Sequence, residues 1–274
     1  MALDAASATG ALVSWSAGGP SVGGLARASL VAGALAPSPA EPNVPRKDEV
    51  EEALASVRRS LGVNGRAATL ILPEGVARIA LLEVPAGLPA REYARFRLAQ
   101  ALPYPAAEAI VDALPLAGRR FLCGAVRRGV VEAYEDAARG AGFHVDQVTL
   151  ASMAAVTGLR TRVGPGGAGG AVILGDVAMS LAVFRGGGLA LFRSRRRDPG
   201  DDEGAWIRRE IVRTSALAGA GEGEIRVAVA GSGAGALLRQ LAQLGCPAEP
   251  AWPRAGRSLP VESAELSWLG AALT

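Results

Sequence analysis

Apolar positions along the chain follow two rhythms. Short runs that are apolar at most positions, bounded by Gly, Pro, Ser or Asp, predict strands at ATLILP (68–73), ARIALLEV (77–84), RFLCGAV (120–126), HVDQVTL (144–150), AVILG (171–175), SLAVFR (180–185), LALFRS (189–194) and IRVAVA (225–230). The first 33 residues alternate apolar clusters with Gly, Ser and Pro breaks and read as a meander of short strands. A three-to-four-residue rhythm marks the helices. DEVEEALASVRRSLG places Val50, Leu54, Val57 and Leu61 on one stripe, pairs Asp48 with Glu51 as a capping box, and ends with Arg58, Arg59 and Gly62. Further helices are expected from Pro89 to about Ala101, stopped by Pro103, across VVEAYEDAARGAG, across ASMAAVTGL, and from about Glu203 to Ala218. In the last of these, Ile207, Ile211 and Thr214 or Ser215 face inward, with Arg208, Arg209 and Arg213 outward.

Two stretches punctuate this series. GALAPSPAEPNVPR carries four prolines and reads as a connecting loop, and VGPGGAGG (163–170), with five glycines, reads as a flexible linker. On either side of that linker the order is strand, strand, strand, helix, strand, so the chain reads as a duplicated α/β protein. The first copy carries an extra insertion. The expected division is a first lobe over 1–76, an inserted subdomain over 77–150, and a segment over 151–274 that completes the first lobe and holds the linker and second lobe.

Composition narrows the function classes. With 274 residues, half of them hydrophobic, a large buried core is expected, and no run reaches the roughly eighteen apolar residues of a membrane helix. The amino terminus lacks the pattern of a secretory signal, so a cytoplasmic protein is expected. Cys123 and Cys246 are the only cysteines and His144 the only histidine, which excludes a disulfide framework and a cysteine-histidine metal cluster. His144, at the start of a strand, reads as a half-buried structural residue rather than a catalytic one. The net charge of +3 is carried by arginines around a single lysine, Lys47. The one dense basic run, Arg193 to Arg197, is followed by Asp198, Asp201, Asp202 and Glu203, which blunt it, so no nucleic-acid partner is expected.

Several stretches in this order carry a resemblance: TLILPEGVARIALLEVP, ALPYPAAEAIVDALPL, VVEAYEDAARGAGFHVDQVTLASMAAV, the triple strand at 171–193, EIVRTSAL, AVAGSGAGALLRQLAQLG and the closing ESAELSWLGAAL. Together they resemble the PilM family of type IV pilus assembly proteins, within the actin-like ATPase superfamily and related to FtsA and the cytoplasmic domain of GspL. The resemblance implies a two-lobed actin-like (ribonuclease H-like) fold with duplicated βββαβ halves and a small subdomain in the first. It also implies a nucleotide between the lobes, its phosphates met by backbone N–H groups of two hairpins and its magnesium oriented by an acid.

The motif residues depart from the family pattern. The family's first hairpin reads D-x-G-S-S-S-x-K; here Asp4 and Ser7 remain, but Ala6 replaces the glycine and Ala11 the basic residue. The second reads D-I-G-x-x-x-T; one register keeps Gly175 but puts Ile173 at the acid and Met179 at the threonine, and the other takes Asp176 as the acid and puts Ala178 at the glycine. A plain hairpin turn with Asp176 chosen for turn propensity is the competing reading. The glycine turn Gly231–Ser232–Gly233 would fit around an adenosine, with Glu210 and Arg213 near the base and ribose. The expectation is a non-catalytic or very weakly catalytic scaffold with no cofactor and no metal site, while ATP with magnesium stays open as the rival ATPase reading, with Asp4 or Asp176 holding the metal.

The resemblance further implies a location at the cytoplasmic face of the inner membrane, peripheral to it through a partner. That partner would be a PilN-like single-pass protein whose amino-terminal tail docks beside the inserted subdomain, near Arg95, Arg97 or Tyr104; pilus motor or platform proteins are further candidates. A GspL-like domain and a polymerising FtsA-like protein are disfavoured, because no membrane span and no amphipathic targeting helix follow the last predicted helix.

Overall fold

The structure is a computed structural model that describes residues 1–16, 19–40, 42–64, 67–163, 166–197, 200, 202–221 and 225–251. The expected closing helix at 262–273, with Asp198 and Asp201 of the acidic run, lies outside the described residues. The chain divides into two compact units: Met1–Leu114 with Phe121–Ala151, and Pro115–Arg120 with Ser152–Thr274.

The first unit opens with strands β1 (Ala2–Asp4), β2 (Ser7–Ser16) and β3 (Gly19–Ser29), joined as consecutive antiparallel hairpins. After the proline-rich loop come helix α1 (Lys47–Ser60) and strand β4 (Ala67–Leu72), which returns parallel to β1. Helix α3 (Arg128–Gly140) then leads to β8 (His144–Leu150), parallel to β4, and the sheet runs β3-β2-β1-β4-β8. Val50, Ala53, Leu54 and Val57 form the buried stripe of α1, which lies on β2, β3 and α3. Its start differs from the capping-box expectation. Arg46 takes the cap position without a side-chain hydrogen bond, and Asp48 sits inside the first turn, where its charge still complements the helix dipole.

Inside the β4–β8 connection lie β5 (Ala77–Glu83), helix α2 (Ala90–Ala99), β6 (Ala109–Pro115) and β7 (Arg120–Arg127), the strands forming a separate sheet of order β5-β7-β6. Ala94, Leu98, Tyr104, Ala109, Val111, Cys123 and Ala125 make its core. Helix α2 ends at Ala99, short of the expected Ala101, and β6 was absent from the predicted elements.

In the second unit, helix α4 (Ala151–Val163) leads into β9 (Ala168–Leu174), β10 (Ala178–Arg185) and β11 (Gly188–Arg196), again antiparallel. Helix α5 (Glu203–Leu217), β12 (Val227–Gly231), helix α6 (Ala234–Gln243) and β13 (Ala248–Pro250) complete a sheet of order β11-β10-β9-β12-β13. Numbered within each half, both large sheets therefore read third, second, first, fourth, fifth, the duplication expected from element order. Val172, Leu174, Met179, Leu181, Val183, Ile207, Ile211, Val227, Val229, Leu237 and Leu241 pack together on one face of the sheet, and Ser180, Ala182 and Phe184 on the other face of β10 are buried as well. The end of the glycine-rich stretch is part of the sheet. Ala168, Gly169 and Gly170 belong to β9, and a Cβ on Gly170 would sit 2.9 Å from Ile225 Cγ2, so that glycine serves close packing.

Candidate functional site

In the second unit the last β9–β10 pair is Leu174 with Met179, leaving Gly175 to Ala178 as the turn. The Gly175 N–H donates to the Ala178 carbonyl at 2.8 Å. Ile173 and Met179, which one of the two registers sets at the acid and threonine positions, are wholly buried in the core of this unit. Asp176 is half-buried at the turn and Val177 is exposed at its tip.

The glycine turn follows β12. Gly231 lies opposite Leu174 across the parallel pair and has φ 104°; a Cβ there would run into the Leu174 carbonyl, so sheet geometry alone requires glycine. The Ser232 N–H donates to the Leu174 carbonyl at 3.1 Å, and Gly233, with φ 79°, caps α6. The N–H groups of Gly175 and Ser232 are thus both engaged within the protein.

Between the two turns sits Arg197, the residue after β11, with its side chain 7% exposed. Its Nη1 donates to the carbonyls of Gly175 and Ser232, each at 2.8 Å, and its backbone N–H donates to the Val177 carbonyl at 3.0 Å. Its Nε and Nη2 meet the Glu203 carboxylate at 2.6 and 3.3 Å, a two-pronged ion pair. Sequence reading placed this arginine in a basic run and missed the pairing. The usable signal was spacing: Arg193, Arg195 and Arg197 share one face of a strand by alternation, and Glu203 and Glu210 lie two turns apart on one face of the next helix.

Glu210, mostly buried, meets Arg193 at 3.5 Å, Arg195 at 3.4 Å and Arg213 at 3.9 Å. It is the centre of an arginine cluster, to which Arg213 contributes from the solvent side. The structure therefore brings Gly175, Gly231, Ser232 and Gly233 around Arg197, and Glu210 and Arg213 into a second, adjoining ion-pair group on α5.

In the first unit, Asp4 and Ser7 face each other across the two-residue β1–β2 turn. The Asp4 carboxylate accepts from the Ala5 N–H at 3.1 Å, Ser7 is buried, and Ala5 and Ala6 both keep negative φ, a turn that manages without glycine. The Asp4 charge also reaches Tyr134, whose phenol is pushed well above its ordinary value mainly by burial and further by that charge.

The three residues considered for a partner tail lie in or near α2. Arg95 Nη1 donates to the carbonyls of Ala106 and Ala109 at 3.4 and 3.2 Å, which fastens the start of β6 to the helix. Exposed Arg97 lies over the Tyr93 ring, 5.9 Å from its centroid. Tyr104 is buried with no hydrogen-bond partner for its hydroxyl among the described residues, and burial raises its pKa against the opposing charges of Arg127 and Arg78. His144 departs from expectation: it is exposed rather than half-buried and pairs with Asp146 at 3.0 Å, because it lies where β8 begins at the sheet edge.

Among the described residues no group of three His, Cys, Asp or Glu side chains could hold a metal ion, and no helix is long and apolar enough to cross a membrane. No protein-family profile matches the sequence, and no curated protein does. Solved structures do match. A chain of the PilM–PilN type IV pilus biogenesis complex is 18% identical, with 99% of this chain and 96% of that one covered and a TM-score of 0.75. The cytoplasmic domain of EpsL, an inner-membrane component of the type II secretion system of Vibrio cholerae, is 14% identical over 89% of this chain and 93% of its own, with a TM-score of 0.51. A Bacteroides thetaiotaomicron protein with an actin-like ATPase fold is 10% identical over 70% and 72%, with a TM-score of 0.50. The chain is thus an α/β protein with the actin-like ATPase fold, its two large sheets repeating one strand order.

Proposed function

We propose that this chain is an actin-like scaffold of a type IV pilus or related secretion assembly, acting at the cytoplasmic face of the inner membrane. It binds the amino-terminal cytoplasmic tail of a PilN-like single-pass membrane protein and does not turn over ATP. The observation that carries the assembly role is the backbone match to a chain of the PilM–PilN complex over 99% of this chain. Fold alone does not fix chemistry, so the nucleotide question rests on the residues.

Four observations support a scaffold without ATP chemistry. The N–H groups of Gly175 and Ser232 are engaged with protein carbonyls, Ile173 and Met179 are in the core, Ala6 stands where the first hairpin's glycine would be, and Gly231 is required by its contact with Leu174. A phosphate at the second turn would need free backbone donors and a hydroxyl or acid beside them. Here the Gly175 and Ser232 N–H groups are already bonded and Asp176 is the one acid at the turn, a poorer set than a phosphate with its magnesium requires. The tail-docking role belongs in this reading to the rim of the 77–150 segment, with Arg97 the most accessible of the three candidates, since Arg95 already holds two carbonyls and Tyr104 is buried.

The test is calorimetry with a synthetic peptide of the cytoplasmic tail encoded by a neighbouring PilN-like gene, run with and without magnesium ATP, followed by phosphate release on the same sample. Saturable peptide binding that ATP leaves unchanged, with no phosphate released, is the expected result. No binding of the tail removes the partner role, and release of phosphate removes the scaffold-only reading in favour of an ATPase using Asp4 or Asp176.

A further inference from the structure

We infer that Arg197 is the resident ligand of the second unit's half-site: an internal guanidinium that ties the β9–β10 turn, the β12–α6 turn and the start of α5 together, where an actin-like site would use a bound nucleotide. The inference rests on the reading that this half-site takes no nucleotide, and extends it by naming what occupies the role.

Three segments converge on one side chain. The Gly175 and Ser232 carbonyls both accept from Nη1, so two partial negative charges that would face each other in a water-poor position are neutralised by one cation. Glu203 then balances that cation through both of its oxygens, which fixes the plane of the guanidinium as well as its charge. Glu203 is also the first residue of α5, where a carboxylate is favoured by the helix dipole, so the pair orients the helix against the two turns. A Cβ at Gly233 would lie 3.1 Å from Arg197 Nη2, which leaves little space between the turn and the guanidinium. Lysine at 197 would supply the charge but not the fixed fork that reaches two carbonyls and both carboxylate oxygens at once.

The consequence is a half-site whose geometry is the same whether or not ATP is present, so partner binding through the scaffold has no nucleotide switch in this unit. Hydrogen exchange on the full chain tests it, comparing wild type, Arg197→Met, Arg197→Lys and Glu203→Gln, each with and without magnesium ATP at millimolar concentration. In Arg197→Met, exchange in peptides covering 174–179 and 230–236 should rise at least about tenfold while a β1–β2 peptide is unchanged, and the melting temperature should fall by roughly 5 to 15 °C. Glu203→Gln should loosen the same peptides less, and Arg197→Lys should recover only part of the protection. If Arg197→Met does not fold, Glu203→Gln carries the test, and unchanged exchange in both turns overturns the inference. Exchange that rises equally everywhere also overturns it, because that marks general stability rather than a tie between these segments. Protection of the wild-type turns by ATP would sink the nucleotide-free reading, and the response of the variants would still decide the tie separately.

Discussion

The β1–β2 and β9–β10 hairpins hold the same address in the two sheets and are fastened in different ways. The first is held by backbone and by its own carboxylate: Ala5 and Ala6 turn with negative φ, the Asp4 carboxylate accepts from the Ala5 N–H, and the Ala6 carbonyl accepts from the Leu30 N–H just past β3 at 2.9 Å. The second depends on distant parts of its unit, because its turn is held by the arginine after β11, by a carboxylate on α5 and by the strand that carries Gly231. Duplication copied the strand order, while the means of securing each turn diverged. A turn held through backbone groups should tolerate a side-chain substitution better than one held through a distant guanidinium and a glycine contact.

The sharpest way to break this comparison is Gly231→Ala against Ala6→Gly. A methyl group at Gly231 meets both a left-handed backbone and the Leu174 carbonyl, so urea unfolding should show a loss of roughly 3 to 6 kcal/mol. A loss below about 1 kcal/mol would mean the second turn is not held as described. Next in size, Leu54→Ala in α1 and Ile207→Ala in α5 should each cost roughly 2 to 5 kcal/mol, since both side chains are wholly buried against their own sheets. Effects of similar size in the two units confirm matching helix-on-sheet cores; an unchanged melting temperature for Leu54→Ala would place that stripe outside the core.

A smaller effect separates the two thiols. Burial pushes Cys123 up to about 11, so the folded state keeps a proton that the unfolded state loses near pH 9. The resulting stability is present below pH 9 and is lost as pH rises from there towards 11. Half-buried Cys246 should react with a maleimide well before Cys123 in the native protein at pH 8, and equal rates would contradict the small-sheet core. Smallest of all, Ala6→Gly should cost about 0.4 to 1 kcal/mol through chain entropy alone, measured by the same urea titration.

Much of this fold was legible because β4, β9, β10 and β12 are mainly apolar runs and α1 and α5 carry apolar stripes, so element order alone revealed the repeat. The losses are specific. Strand β6 escaped because its inward residues Ala109, Val111 and Ala113 are small and lie between Pro105 and Pro115, so neither size nor composition marked a strand. Strand β13 has three residues, one of them proline, and no period to detect. The glycines at 169 and 170 were read for flexibility when they serve contact. At the candidate site the turn positions were visible in the letters, yet the arginine that joins them was not, because its partners are 6, 22 and 35 residues away and only the folded sheet brings them to one point.

The small β5-β7-β6 sheet also bears on how the first unit assembles. Strand β8 must find β4 in parallel, with Ala67 meeting His144, and every residue between them is part of the loop to be closed. Parallel pairs with such separation are slow to form when the connection is a flexible coil. Because β5, α2, β6 and β7 have a core of their own within that connection, the crossover is a packed subdomain rather than a free coil, which lowers the entropy cost of closing it. The equivalent crossover of the second unit, from β12 to β13, encloses only α6, so its parallel pair closes a far shorter loop.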